Sequence, residues 1–414
     1  MERTVIPGRV EGTLTPPCSK SYAQRALAAS LLCEGTTTLR NVEFCDDTLS
    51  ALRCIEALGA RVVRTGEDSL SVTGGLRPRT NRLCVGESGL SARLFTPIAA
   101  LCGFPFTIEG EGTLLRRPMR MMAEPLRQLG VRVRDNDGRL PVEICGPLRG
   151  GEARTDASVS SQFVTGLLLA LPLAGSDTTL HVDHAVSTPY LDMTIDTAGR
   201  FGAEIYHNDY REFYIEGGQR YRGIDFAIEG DWSAAAMLLT AGAVTGEVAV
   251  RNLTMLSRQA DTAVCEALVR AGASLIHEGS SVTAAQRPLR AFSFDATQCP
   301  DLFPALAALA AAADGVSVIR GTSRLEHKEC NRAEALREEY GRLGIEVDID
   351  EPDTMKIRGG EIRPARTRSH GDHRIAMSLA VSALRARGPV VIEGAECVAK
   401  SYPDFFEDLE RIRK

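Results

Sequence analysis

At 414 residues, 44% hydrophobic and 25% charged, the chain has room for two or three domains with substantial cores and the balance of a globular protein. A net charge of −6 and only 5% aromatic residues argue against a general polyanion-binding surface and against a stacking platform for single-stranded nucleic acid. Eleven scattered cysteines without a C-x-x-C pair suit buried thiols in a reducing cytoplasm rather than a disulfide framework or a zinc site. The N-terminal "MERTVIPGRVEG" lacks the apolar core of a secretory signal, and the run "ALAALAAAA" at 305–313 is far short of a membrane span. A cytoplasmic protein without a membrane or nucleic-acid partner is expected.

The first strong element in chain order is "SKSYAQRALAASLL" (19–32), an alanine-rich helix with Lys20 where it begins. Free N–H groups and the positive dipole end already disfavour a cation there, unless an anion fills the space between. A strand, a second helix and then "LGARVVRTGEDSLSVTGG" follow: a glycine that ends the helix, then two alternating strands around a turn. That signature returns as "LGVRVRDNDGRLPVEICG", "FGAEIYHNDYREFYIEGG", "AGASLIHEGSSVTAA" and "LGIEVDIDEPDTMKIRGG". Its glycines, 59, 130, 202, 272 and 344, are spaced by 70 to 72 residues. Helix starts keep the same step, at Lys20, Ser88, Ser160, Asp231, Asp301 and Asp372.

The chain therefore reads as six βαβαββ-like units, with the last lacking its hairpin. The strand-like "RTVIPGRVEGTL" at the N-terminus could supply the missing piece. The fold class expected is α/β (α+β), with two similar domains of three units each, an inverse α/β barrel. Residues 15–224 form one domain and residues 1–14 with 225–414 the other. Two crossings, near 14–17 and 222–230, make a hinge, and a cleft that closes on a ligand is expected between the domains.

Only five lysines occur beside 43 arginines, and three of the five, Lys20, Lys328 and Lys400, fall at a helix start or in strand–helix loops. Arg25, Arg93, Arg117, Arg332 and Arg374 occupy similar places. Cations converging from several units imply substrates rich in phosphate and carboxylate. Other signals are weaker. The hydroxyls of "SSQF" at 160–163 fit phosphate oxygens or a helix cap, and Asp231, Asp301 and Asp372 all fit caps. "HGDH" at 370–373 has no further ligand at metal spacing, and "EGEGTLLRRP" at 109–118 matches neither nucleotide-binding fingerprint. No metal or cofactor is expected.

These residues carry a resemblance to the 5-enolpyruvylshikimate-3-phosphate synthases, in "SKSYAQRAL", "GESGLSARL", "LRRPM", "SSQFVTGLLLALPL", "STPYLDMT", "PDLFPALAALAA", "RLEHKECNRAEAL", "GDHRIAMSLAVSAL" and "AKSYPDFFEDL". The resemblance implies transfer of the enolpyruvyl group of phosphoenolpyruvate to the 5-hydroxyl of shikimate-3-phosphate, with release of phosphate. It implies a monomer with small-molecule substrates, a role in aromatic amino acid biosynthesis, and inhibition by glyphosate at the phosphoenolpyruvate position. Carried over, Lys20, Ser21 and Arg25 would grip shikimate-3-phosphate, with Ser160, Ser161 and Gln162 on its phosphate and ring. Ser187 and Tyr190 would assist, and Asp301 and Lys328 would meet its hydroxyls. Phosphoenolpyruvate would fall to Lys20, Gly89, Arg117 and Gln162, together with Arg332, Arg374 and Lys400. Asp301 would be the base, and Glu329, with Lys20 as competitor, the acid.

The chain departs from the family pattern at Cys18, Glu87, Leu90 and Asn331, and Arg324 stands where some members have asparagine. Glu87 would repel phosphoenolpyruvate unless Arg93 or another cation pairs with it. Two rivals share the features: a UDP-N-acetylglucosamine enolpyruvyl transferase, whose loop at 109–118 would carry a cysteine, and a non-catalytic phosphometabolite-binding protein.

Overall fold

The second repeat shows how sequence builds the unit in the computed structural model, which describes all residues, Met1–Lys414. Strand Arg82–Cys84 leads into helix Gly89–Ala99, and strand Pro105–Glu109 then runs parallel to the first. After helix Ala123–Gln128, strands Arg132–Asn136 and Arg139–Cys145 add an antiparallel hairpin to the same sheet. In the last strand Leu140, Val142 and Ile144 are buried and alternate with exposed residues, the period of a sheet with one covered face. Gly59, Gly130, Gly202, Gly272 and Gly344 all have positive φ, so each recurring glycine turns the chain out of its helix into the hairpin.

Each repeat contributes one helix that is buried over nearly its whole length. Gly89–Ala99, Trp232–Thr245 and His373–Ala383 are buried from end to end. The sheets and the amphipathic second helices form the outer layer. Two compact units result, a middle unit of Cys18–Ile228 and a terminal unit of Met1–Pro17 with Glu229–Lys414. In the middle unit the inner helices Lys20–Leu32, Gly89–Ala99 and Gln162–Ala170 pack on one another. A Cβ on Gly166 would strike the carbonyl oxygen of Arg93, so glycine lets two backbones touch there. In the terminal unit Trp232–Thr245, Phe303–Ala311 and His373–Ala383 make the corresponding bundle.

The N-terminal segment completes two sheets of the terminal unit. Glu2–Val5 pairs antiparallel with Val390–Glu393, and Glu11–Leu14 pairs parallel with Glu247–Val250. Both boundaries fall three or four residues later than expected: residues 15–17 belong to the terminal unit and residues 225–228 to the middle one. Asp225–Ala227, expected in the second domain, pairs parallel with Thr38–Arg40 and so belongs to the middle unit, because strand hydrogen bonds rather than the repeat count decide membership. No helix is long and apolar enough to cross a membrane.

Candidate active site

In the middle unit the starts of the three inner helices are hydrogen-bonded together. Gln24 Oε1 accepts from Ser88 Oγ at 3.3 Å and Ser91 Oγ at 3.0 Å, and Arg93 Nη1 donates to Gln162 Oε1 at 2.7 Å. Three positive dipole ends therefore converge, which favours an anionic ligand. Ser19 caps the first helix, accepting from the Tyr22 N–H at 3.4 Å, and Lys20 is the first helical residue. Lys20 Nζ lies 2.9 Å from Asp47 Oδ2 in the first turn of helix Asp46–Ala57. Asp47 is buried, and the sequence reading did not single it out.

Arg25 is placed differently from a cation that grips a ligand. It is buried, and all three guanidinium nitrogens bond protein oxygens: Thr194 Oγ1 at 2.9 Å, the Ser21 carbonyl at 2.8 Å, and the Tyr190 carbonyl at 3.0 Å with Thr165 Oγ1 at 3.3 Å. Burial lowers its pKa to about 10, against the opposing influence of Tyr22 and Tyr190. It is a strut that fixes Ser21 and Tyr190 relative to each other. Ser187 carries a left-handed backbone, φ 54°, immediately before helix Thr188–Arg200, the strained geometry often found where a side chain is aimed at a ligand. Ser160 Oγ accepts from the Gln162 N–H at 3.2 Å, and Ser161 is buried beside it.

Gly89 opens its helix with the Arg117 guanidinium against it. A Cβ at position 89 would meet Arg117 Nη1 at 2.5 Å and Cζ at 2.8 Å. Arg117 Nε is buried without a hydrogen-bond partner. Glu87 and Arg93 each have hydrogen-bond partners in the protein. Arg93 binds Gln162 and the Pro118 carbonyl, whereas Glu87 Oε2 accepts from the Thr113 N–H at 3.1 Å and Oγ1 at 2.7 Å. Leu90 is buried.

In the terminal unit Asp301 is not a cap. It lies in the 3-10 turn Pro300–Leu302, which like the following helix shows no side-chain cap bond, and its carboxylate turns to cations instead. Arg332 Nη1 stands 2.7 Å from Oδ1, Lys328 Nζ 3.2 Å from Oδ1 and Arg374 Nη2 3.2 Å from Oδ2. Burial raises the pKa of Asp301, but Arg374, Lys328 and Arg332 together outweigh it and hold the carboxyl well below its usual range.

Arg332 is 1% exposed and also reaches Glu329 at 2.9 Å and Asp372 at 2.6 Å, so its guanidinium joins three carboxylates. Asp372 does two jobs: Oδ2 holds Arg332, and Oδ1 caps helix His373–Ala383 by accepting from the Arg374 N–H at 2.9 Å. Asp231 is a cap, accepting from the Ala234 N–H at 2.8 Å, and so is Asn331, accepting from the Glu334 N–H at 3.4 Å. Asparagine caps about as well as aspartate, so this departure from the family pattern keeps the helix start intact.

Burial pushes the Arg324 guanidinium down, opposed by Asp301 and Asp353. It likewise pushes the Cys330 thiol up, with Asp372 adding to the effect. Lys400 ends the 3-10 turn Ala395–Lys400 and is buried. Asp261, missed by the sequence reading, is 1% exposed and accepts from Ser233 Oγ through Oδ2, while Oδ1 has no hydrogen-bond partner. Burial raises its pKa to about 7, with Asp301 adding to the rise and Arg374 opposing it.

Two bundles of three βαβαββ units, one with a cation-bearing helix-start cluster and one with an acid–cation cluster, define an enolpyruvyl transferase type of architecture. The structure is similar to the EPSP synthase of Acinetobacter baumannii, with a TM-score of 0.86 at 26% identity over 100% of this chain and 98% of that one. The fold is shared with the enolpyruvyl transferase NikO of Streptomyces tendae, TM-score 0.77 at 18% identity. Residues 5–409 match the family described as EPSP synthase (3-phosphoshikimate 1-carboxyvinyltransferase), and the chain belongs to that family. Relatives called 3-phosphoshikimate 1-carboxyvinyltransferase include one from Thermococcus kodakarensis, 39% identical over 97% of this chain and 98% of its own. Another, from Clostridium kluyveri, is 36% identical over 99% and 96%.

Proposed function

We infer that this chain transfers the enolpyruvyl group of phosphoenolpyruvate to the 5-hydroxyl of shikimate-3-phosphate, releasing phosphate, as an enzyme of aromatic amino acid biosynthesis. The observation that carries the chemical reading is Asp301, a carboxylate ringed by Lys328, Arg332 and Arg374 at 2.7–3.2 Å. Such a group is ionised and weakly basic in the resting protein. Phosphoenolpyruvate would draw Arg374 away and the hydroxyls of shikimate-3-phosphate would draw Lys328, and Asp301 would then recover the basicity to take the 5-hydroxyl proton.

Protonation of the methylene carbon makes the neighbouring carbon electrophilic, the hydroxyl oxygen adds, and loss of phosphate from the tetrahedral adduct leaves the enolpyruvyl ether. Glu329, with Lys20 as competitor, supplies that proton. The chemistry asks nothing of a metal or cofactor. Lys20, Gly89, Arg117, Gln162, Arg374 and Lys400 hold phosphoenolpyruvate. Ser21, Ser160, Ser161, Gln162, Ser187 and Tyr190 hold shikimate-3-phosphate, with Lys328 on its hydroxyls. Arg25 and Arg332 serve as struts behind those groups. The reading extends to a cytoplasmic monomer.

A coupled assay of phosphate release with both substrates tests the reaction. Release that requires both supports it. Release with a UDP-sugar in place of shikimate-3-phosphate, or binding without turnover, would replace it with one of the two rivals.

A further inference from the structure

We propose that Glu87 is a positioning residue for Arg117 and so sets affinity for phosphoenolpyruvate without touching it; this rests on the role given to Arg117 above. Glu87 lies two residues before Gly89, in the turn between strand Arg82–Cys84 and helix Gly89–Ala99. A carboxylate there faces a ligand that is itself an anion, and the cost of like charges falls off only with distance and solvent. The structure turns this carboxylate away from that role. Oε2 accepts two bonds from Thr113, one from its N–H and one from its hydroxyl. The other oxygen, Oε1, packs against Gly112, whose φ of +53° and crowding by Glu87 leave no room for a Cβ.

Thr113 is the second residue of the 3-10 turn Gly112–Arg116, whose own N-cap residue, Glu111, makes no side-chain cap bond. Glu87 therefore satisfies an N–H that the turn leaves open, from another strand–helix loop. The Glu111 N–H donates to the Gly86 carbonyl at 2.9 Å, a second tie between the two loops. Arg117 follows the turn directly, its N–H bonded to the Leu114 carbonyl at 3.0 Å. Its guanidinium rests on Gly89 with Nε unpartnered, so nothing at Nε fixes its placement and the turn that carries it does. The chain of contact runs from Glu87 through Thr113 and the turn to Arg117 and back to Gly89.

The test compares Glu87→Ala, Glu87→Gln and Thr113→Val in steady-state kinetics and in hydrogen exchange of the amides of residues 112–117. Glu87→Ala should raise KM for phosphoenolpyruvate about tenfold, the size of a lost charged hydrogen bond, with kcat and KM for shikimate-3-phosphate within about threefold. It should also speed exchange across the turn. Glu87→Gln retains an acceptor oxygen and should restore both readouts to near the parent. Thr113→Val keeps the N–H and should show a smaller effect, and adding it to Glu87→Ala should change little further. If Glu87→Gln lowers KM as much as Glu87→Ala does, the carboxylate repels the substrate directly and the proposal is wrong. Unchanged exchange in Glu87→Ala overturns it equally. A parent enzyme inactive with both substrates would instead defeat the functional reading, and the exchange result would still judge the Glu87–Thr113 tie.

Discussion

Arg332, with a side chain 1% exposed, donates to Asp301 across 2.7 Å, and Asp301 is 21% exposed. A buried guanidinium thus presents a partly open carboxylate, and that carboxylate has two further cations on it. Asp301→Asn removes both a proton acceptor and the shared counter-charge of Lys328, Arg332 and Arg374. Turnover should fall by about 10²-fold or more, the range for a general base. Stability should fall by about 1–3 kcal/mol, because Arg332 keeps Glu329 and Asp372 as partners. Inorganic phosphate should raise the Tm of this variant more than that of the parent, since it replaces the missing charge. Asp231→Asn, a cap-for-cap exchange, should leave Tm nearly unchanged and turnover within about tenfold. Equal losses of activity in the two variants would make Asp301 structural only.

A methyl group at position 89 has nowhere to go but into the Arg117 guanidinium, 2.5 Å from its Nη1. The end of a long side chain can move, so Gly89→Ala should fold normally with an unchanged Tm. It should raise KM for phosphoenolpyruvate about tenfold, as one charged contact is loosened. The longer competitor glyphosate should lose more, so its inhibition constant should rise by a larger factor than KM. Equal factors in steady-state inhibition assays would show that the displaced arginine, and not the room beside Gly89, governs both ligands.

The repeat was legible because its punctuation is local chemistry: a glycine at positive φ ends each second helix, and the strand pair follows at once. Lys20 was legible because lysine is rare in this chain. The partners of the charged groups were not. Asp301 and Arg374 are 73 residues apart, and no pattern in one sequence links them. Asp372 sits at a helix start, where a cap explains an acid, and that explanation hid its second task of holding Arg332, while nothing in the sequence marks Asp47, also in a first helical turn, as the partner of Lys20. The concern over Glu87 had the same origin, because Thr113, which receives it, lies 26 residues away.

Lys20 and Asp47 should not be separable. Asp47 is buried and stands 2.9 Å from Lys20 Nζ, so Lys20→Met strands a buried carboxylate near helix starts and should lower Tm as well as turnover. Asp47→Asn keeps the shape and loosens the lysine. It should lower kcat/KM for phosphoenolpyruvate by about tenfold while leaving Tm closer to the parent than Lys20→Met does. If Asp47→Asn leaves kcat/KM unchanged, the pair is a structural ion pair and Lys20 is aimed by other contacts.

Asp261 should make stability depend on pH in the direction opposite to an ordinary ion-paired aspartate. Its carboxyl titrates near 4 in an unfolded chain and is raised to about 7 in the fold, first by burial and then by Asp301, with Arg374 opposing. Between those values the unfolded chain has lost the proton and the folded chain still holds it. Folding therefore takes up a proton, and this group's contribution falls as pH rises from about 4 to 7 and is flat above. The penalty is on the order of 1.4 kcal/mol for each unit of difference between the two pKa values. Asp261→Asn mimics the protonated acid, retains an oxygen for the Ser233 hydroxyl and cannot ionise. The Tm of the variant minus that of the parent should be near zero at pH 4 and climb by about 3–8 °C by pH 8, read by calorimetry across that range. Asp301, with its lowered pKa, contributes the reverse slope at acid pH, but it is present in both proteins and cancels in the difference. A difference that stays flat, or falls as pH rises, would mean that Asp261 is ionised in the folded protein and that Arg374 has overcome its burial.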